Sequence, residues 1–310
     1  MGSVQRKLNG ADMNNQAAFK SGFVVIIGAP NVGKSTLLNR ILGQKISITS
    51  KKPQTTRHRI LGVSHQPGAQ LVFLDTPGIH RAKGPLSARM VEVALKALNG
   101  VDLVLWMTDA ALPNIGPDDV ILESLKEKGL PVILAVNKVD LVEKASLLPL
   151  MGTWDKAYPF RAVVPICALD GTQVDVLIKE MIAALPEGPP YYPEDSITDL
   201  QERFLVAETI REKVFRLTGE EIPYSAAVTV ESFKERPEKK LVEIQATIHV
   251  ERESQKPIVI GKGGQMLRRI GQQAREEIEF MLGQKVFLKL WVRVQKKWTK
   301  DPQAIKRFGY

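Results

Sequence analysis

The chain has 310 residues, with 44% hydrophobic and 25% charged side chains, an ordinary globular composition that predicts about two domains. Its net charge of +9 is lopsided: residues 251–310 hold 14 Lys and Arg against 6 Asp and Glu. That excess at one end points to a polyanionic partner, nucleic acid or anionic lipid, with a plain solvated basic surface as the alternative. A single cysteine, Cys167, excludes an intramolecular disulfide. The start of the chain lacks the apolar stretch of a secretory signal, and Arg6 breaks the myristoylation pattern. No apolar run reaches the roughly 18 residues of a spanning helix, so a soluble, cytoplasmic protein is expected.

In chain order, residues 1–21 read as a polar tail. Residues 22–185 alternate apolar strands, at 23–28, 70–75, 101–109, 131–138 and 162–168, with amphipathic segments such as "PLSARMVEVALKALNG". Nearly continuous apolar strands imply burial on both faces, hence an α/β domain with a mostly parallel sheet and helices on both sides. The Pro/Gly-rich "PEGPPYYPEDS" marks a linker over 186–198. Residues 199–310 change character. Thr198 and Gln201 suggest a capping box before a helix with Val206, Ile210, Val214 and Leu217 on one face. Two alternating strands follow, one with Tyr224, Ala226, Val228 and Val230 on a face, the other with Val242, Ile244, Ala246, Ile248 and Val250. Then come two helical stretches around a Gly loop, and a last alternating strand at 286–294. The expected order is α-β-β-α-α-β.

The first chemistry-bearing motif is "GAPNVGKST" (28–36), which follows a buried strand and opens a helix. It fits G-x-x-x-x-G-K-[ST], a loop whose backbone N–H groups wrap phosphates. Asn31, Val32, Gly33, Lys34, Ser35 and Thr36 are the expected phosphate-binding residues, with Lys34 on the β/γ oxygens and Ser35 on Mg²⁺. "DTPG" (75–78) ends the next strand, placing Asp75 near the metal and the Gly78 N–H at the γ-phosphate. "NKVD" (137–140) supplies Asn137, Lys138 and Asp140. The Asp140 carboxylate accepts from guanine N1–H and its amino group, and adenine leaves it unpaired, so guanine is the expected base. Cys167, Ala168 and Leu169 follow the last strand, with the Ala168 N–H aimed at guanine O6. Between the first two motifs, Thr56 or alternatively Thr55 supplies a hydroxyl to Mg²⁺ when the γ-phosphate is present. The expected catalytic residues are Lys34, Thr56 and Gly78. The metal ligands expected are Ser35, Thr56 and Asp75. Ile79 stands where a water-orienting Gln serves other GTPases, so slow intrinsic hydrolysis is expected, with the water placed by backbone and switch-loop groups.

The second loop, Gly261-Lys262-Gly263-Gly264, lacks the Lys-Ser of a Walker loop. A G-x-x-G between two helices is the loop with which KH domains clamp about four nucleotides of single-stranded backbone. Lys262, Arg268 and Arg269 add charge, and Ile258, Val259 and Ile260 are expected to line the groove floor. The tail mixes Lys and Arg with Trp291, Trp298, Phe308 and Tyr310. Lys296 and Trp298 are placed near RNA, against packing of the tail on its own domain.

With "GAPNVGKSTLLNRILGQKISITSKKPQTTRHRILG", "DTPGIH", "NKVD" and "VIGKGGQMLRRIG" in this order, the chain resembles the bacterial Era family of ribosome-associated GTPases over roughly residues 22–310. The resemblance implies GTP/GDP and Mg²⁺ as ligands and a type II KH domain recognising the 3′ end of small-subunit rRNA. A role in maturation of the small ribosomal subunit and peripheral association with the inner membrane are implied too. A monomer is expected. Cys167 departs from the family's usual Ser. Two rivals are a constitutive RNA-binding scaffold with nucleotide as a structural ligand, and a membrane-surface GTPase.

Overall fold

The computed structural model describes residues 18–50, 52–112, 119–219 and 222–310. Most of the expected polar tail, residues 1–17, lies outside the described residues. Lys20 and Ser21, counted with that tail in the sequence reading, belong to the first strand.

The N-terminal lobe runs β1 (Lys20–Gly28), α1 (Lys34–Leu42), β2 (Ile60–Gln66), β3 (Ala69–Asp75), α2 (Pro85–Lys96) and β4 (Leu103–Asp109). It continues with α3 (Asp119–Lys128), β5 (Val132–Asn137), α4 (Lys144–Ala157), β6 (Ala162–Pro165) and α5 (Val174–Ala184). The sheet order is β2-β3-β1-β4-β5-β6, parallel except for β2. Alternation along β1 explains the two cores. Val24 and Ile26 join the side packed with Leu37, Leu38 and Leu177, whereas Val25 and Ile27 join the side holding Leu98, Leu125 and Trp154. Strand ends therefore converge on one edge, where a doubly covered sheet places its ligand. The edge strand β2 is not anticipated by the sequence reading, because its polar Ser64, His65 and Gln66 blur the apolar pattern.

The Pro/Gly-rich segment is packed rather than free. Ile197 O accepts from Val63 N at 2.7 Å, covering the outer edge of β2. Tyr191 N and Tyr192 N donate to Gln70 Oε1 at 2.7 and 3.0 Å. The next helix begins at Glu202 with Gln201 at its N-cap, so the expected capping box of Thr198 and Gln201 does not form, and the Thr198 hydroxyl donates to Leu61 O at 2.6 Å instead.

The C-terminal lobe contains α6 (Glu202–Leu217), α7 (Ile222–Ser225), β7 (Ala227–Arg236), β8 (Leu241–Val250), α8 (Gln255–Ile260), α9 (Gln265–Leu282), β9 (Lys285–Val294) and α10 (Pro302–Arg307). The expected order is present with two short helices added. Helix α7 takes Tyr224, so the first strand starts later than anticipated. β7 and β8 pair antiparallel, and β8 and β9 parallel across the α8–α9 connection. Val206, Ile210 and Val214 of α6 pack with Ile244 and Ile248 of β8 and Ile270 and Ile278 of α9. At the seam between lobes, Leu86 and Met90 of α2 meet Trp298 and Ile305. Among the described residues, no helix is long and apolar enough to cross a membrane.

Candidate nucleotide site and nucleic-acid groove

A cleft of about 1010 Å³ opens at the C-terminal edge of the first sheet, bringing the phosphate loop, the 49–56 loop, Gly78, Lys138, Asp140 and Cys167 together. The phosphate loop turns from β1 into α1 through Gly33, whose φ is +102° and whose added Cβ would lie 2.2 Å from Asn137 Nδ2. Only glycine satisfies both demands. The side chain of Val32 is buried in the core, so this residue offers only backbone.

Asn137 is a strut. Its Nδ2 donates to Val32 O at 2.7 Å, and its Oδ1 accepts from Ala168 N at 2.8 Å. The phosphate loop and the base-binding segments are thereby tied to one buried amide. This corrects the expectation for Ala168, whose N–H is engaged by Asn137 instead of facing outward. The Cys167 thiol is buried, and burial, with the Asp140 side chain acting the same way, pushes its pKa up. Arg40 of α1, which the sequence reading passed over, donates Nε to Ala168 O at 3.0 Å and Nη2 to Leu169 O.

Three sequence-distant oxygens meet at the other end of the cleft. The Ser35 hydroxyl donates to Asp75 Oδ2 at 2.7 Å and lies 2.9 Å from Thr56 Oγ1. Thr55 faces elsewhere: its hydroxyl donates to Lys52 O at 2.8 Å. The geometry thus selects Thr56 of the two threonines. Ser47, also missed from sequence, donates to Asp75 Oδ2 at 2.9 Å. Asp75 is fully buried and its Oδ1 has no hydrogen-bond partner among the described residues. Burial raises its pKa, opposed by the Lys34 charge and the two serine hydroxyls. An unpartnered carboxylate oxygen beside two hydroxyls is a hard-oxygen donor set that fits Mg²⁺. Lys34 Nζ donates to Gly28 O and Ala29 O at 3.1 and 2.9 Å. Burial lowers its pKa to about 8, against the pull of Asp75.

Ile79 is buried among core residues, and its N–H donates to Gly28 O at 3.1 Å. No side chain at that position reaches the phosphate end of the cleft.

The loop carrying Thr56 is held by the other lobe. Arg211 of α6, itself paired with Glu208, donates to Thr55 O. The buried Arg57 guanidinium donates to Pro223 O, Tyr224 O and Ala226 O at 3.0, 2.9 and 2.8 Å. Glu212 accepts from Thr49 N at 3.0 Å, and Arg216 reaches Thr49 O while lining the cleft. None of these α6 residues carries a motif. Charged residues at 208, 211 and 212 beside the apolar positions 206, 210 and 214 were the available signal.

In the C-terminal lobe, Gly261–Gly264 joins α8 to α9. Gly263 has φ +58° and nothing within 4 Å of an added Cβ, so its surface is open. Beside it a groove of about 590 Å³ runs between α9 and the edge of β9. Its floor is Leu267, Gly271, Leu288 and Leu290, with Arg268 and Arg275 on the α9 wall and Phe287 opposite. This corrects the floor expected from Ile258, Val259 and Ile260. Val259 is fully buried in the core, Ile260 packs against that core, and exposed Ile258 lies outside the groove. A six-residue helix turns one side of this apolar run inward. The mid-helix Gly271 was the overlooked sign of a close approach. Lys262 and Arg269 are exposed nearby, but of the two adjacent arginines only Arg268 lines the groove. Lys296 is exposed and also off the groove. Trp298 is fully buried with its indole N–H on Ser225 O at 2.8 Å, so it does not stack on RNA.

Residues 23–138 match the family described as 50S ribosome-binding GTPase, and residues 221–299 match the KH domain. The GTPase Era of Geotalea uraniireducens is 57% identical over 292 residues, covering 94% of this chain and 98% of the relative. That of Syntrophus aciditrophicus is 51% identical, covering 94% and 95%. Among solved structures, an Era variant from Aquifex aeolicus bound to GDP and aluminium fluoride superposes with a TM-score of 0.91 at 45% identity, covering 94% of this chain and 99% of that one. An Era complex with MgGDPNP and nucleotides 1506–1542 of 16S ribosomal RNA gives the same score, identity and coverage. A P-loop GTPase lobe followed by a KH lobe, at this identity over nearly the full length, places the chain in the Era family of GTPases.

Proposed function

We propose that this chain hydrolyses GTP as a switch that governs how its KH groove holds the 3′ end of small-subunit rRNA, in the service of small-subunit maturation. Residues 20–185 form the GTPase domain, 186–198 the connecting segment and 199–310 the RNA-binding domain. Ser35, Thr56 and Asp75 would hold Mg²⁺, which when bound would supply positive charge to offset that of the phosphates. Lys34 and the N–H groups from Asn31 to Thr36 fix the phosphates, with the Gly78 N–H at the γ-phosphate. Asp140 reads guanine, with Lys138, Cys167 and Leu169 around the base. The water is placed by backbone and switch-loop groups, since Ile79 is buried in the core, and intrinsic turnover is slow.

One observation carries the reading. The Thr56 hydroxyl stands 2.9 Å from Ser35 while its neighbours Thr55 and Arg57 are hydrogen-bonded to the RNA-binding domain. Any change in the nucleotide's hold on Thr56 is therefore felt by α6. The Era relative solved with MgGDPNP and 16S rRNA supports the choice of partner. The site of action is the cytoplasm, with the basic end available for peripheral contact at the inner membrane.

The test is equilibrium binding of a short single strand ending like the small-subunit rRNA 3′ end, with wild type and Gly263→Asp at fixed salt. The space around Gly263 admits the side chain, Asp is one of the few residues that visit its left-handed φ of +58°, and thermal unfolding of the variant checks that it folds. Loss of binding supports the groove; unchanged binding contradicts it.

A further inference from the structure

We infer that the Gln54 side chain orients the water that attacks GTP, and that His80 positions Gln54 for it. The inference rests on the hydrolytic reading above and names the switch-loop group that reading leaves open.

Gln54 is held at φ +61°. An L side chain seldom adopts that region, and such strain persists where neighbours fix the conformation. Here they do. The Thr55 hydroxyl donates back to Lys52 O at 2.8 Å, closing a turn with Pro53 and Gln54 at its tip. Both ends of the turn are tied to α6. Lys52 Nζ donates to Phe215 O at 2.8 Å and to Thr218 O, and Arg211 donates to Thr55 O. Gln54 lines the cleft together with Lys34, Ser35, Thr56 and Gly78, the residues assigned to the phosphates and the metal.

The side chain is oriented as well. Gln54 Nε2 stands 3.0 Å from His80 Nε2. His80 Nδ1 lies 2.7 Å from Gly78 O, which can only accept, so Nδ1 carries the proton and Nε2 of the neutral ring accepts. Ser87 Oγ, 2.8 Å from the same Nε2, accepts from Lys83 N at 3.3 Å and gives its own proton to the ring. With its amide nitrogen donating to His80, Gln54 presents its oxygen as an acceptor that has no hydrogen-bond partner among the described residues. The Gly78 peptide gripped by the ring is the one whose N–H is assigned to the γ-phosphate. One histidine therefore ties the amide to the reacting end of the cleft.

The chemistry asks for little else. The carboxamide oxygen accepts a hydrogen bond from the water and so aims a water lone pair at the γ-phosphorus. The new oxygen–phosphorus bond forms as the bond from phosphorus to the β,γ-bridging oxygen breaks, and that electron pair leaves with GDP. One water proton passes to a γ-phosphate oxygen and the other stays on the attacking oxygen. Gln54 keeps both of its amide protons throughout. An amide brings no positive charge to the transferring group, so turnover stays slow. Ile79 is buried in the core, and Gln54 reaches the cleft from the other switch loop instead.

Gln54→Asn tests this in the full-length chain. Asn keeps the amide and tolerates a left-handed φ, but it is one methylene shorter. Single-turnover GTP hydrolysis falls about 100-fold, while affinity for GDP and for a non-hydrolysable GTP analogue is unchanged. GDP with aluminium fluoride, which mimics the transferring group, binds the variant more weakly. His80→Ala lowers hydrolysis too, and adding it to Gln54→Asn costs nothing further, because the two act as a unit. Hydrolysis at the wild-type rate in Gln54→Asn overturns the inference. So does a loss of GDP affinity that matches the loss of hydrolysis, which would make Gln54 a brace for its loop. Losses that add in the double variant overturn the role given to His80. The switch reading is separable: Gln54→Asn keeps the wild-type ratio of RNA affinities with the GTP analogue and with GDP. If the wild type itself shows no difference between the two nucleotides while Gln54→Asn still loses hydrolysis, the switch reading fails and Gln54 stands.

Discussion

Thr56 Oγ1 lies 2.9 Å from Ser35 Oγ, although 21 positions separate them in sequence. This pair closes the Mg²⁺ corner with Asp75, and the residues on either side of Thr56 are bonded to the other lobe. The hydroxyl is thus both a ligand position and the end of a lever.

Thr56→Ala removes the ligand and keeps the lever. Single-turnover GTP hydrolysis is expected to fall about 100-fold, with GDP affinity essentially unchanged. Unchanged hydrolysis would place the metal ligand elsewhere in the loop.

Arg211→Met cuts the lever at Thr55 O. Arg211 is fully buried, and its partner Glu208 is nearly so. Burial alone would push the Glu208 pKa up, but the Arg211 charge and hydrogen bonds hold it below its usual value. Breaking such a pair costs about 3–5 kcal/mol in urea unfolding. The double variant Glu208→Gln/Arg211→Met recovers part of that loss. In the double variant, RNA affinity becomes the same with GDP and with a GTP analogue.

Asp140→Ala addresses the base. The preference for GTP over ATP should drop by about two orders of magnitude or more, since the discriminating acceptor is gone. Competition binding at fixed Mg²⁺ reads this. Cys167→Ser, which keeps a donor beside Asp140, is expected to change affinity little.

His249 gives a pH signature at the end of the second sheet. Burial lowers its pKa from the ordinary 6.5, with Glu231 opposing and Arg293 reinforcing. Its Nε2 sits 2.9 Å from the Thr229 hydroxyl, and its ring packs on Phe308. Because the folded value is the lower one, the neutral ring's contribution is complete above 6.5. It is lost progressively as pH falls below that, until the folded pKa is passed. Urea unfolding of wild type and His249→Asn across this range should show the wild type losing more stability toward acid. Parallel curves would count against it.

Much of the nucleotide site was legible because each of its pieces is short and contiguous. "GAPNVGKST", "DTPG" and "NKVD" each end a strand of one sheet, and strand ends of a parallel sheet meet at one edge. What could not be read was whatever depends on a partner far away in the chain. Arg211 and Arg216 look like the polar face of an amphipathic helix until the switch loop is placed against them. Asn137 and Ser47 act on backbone or carboxylate groups that the fold alone brings near. Val259 and Trp298 failed for a related reason: an apolar run in a short helix and an aromatic in a basic tail do not declare which way they face.

The central claim is that the nucleotide state sets RNA affinity through the loop held by α6. The most direct measurement is the dissociation constant of one short 3′-end RNA for the wild-type chain, saturated first with GDP and then with a non-hydrolysable GTP analogue, at the same salt and Mg²⁺. The account predicts tighter binding with the GTP analogue, by about 5- to 150-fold, as expected of a coupling between two sites. Equal affinity in the two states would contradict it and leave a constitutive RNA-binding protein with nucleotide as a structural ligand.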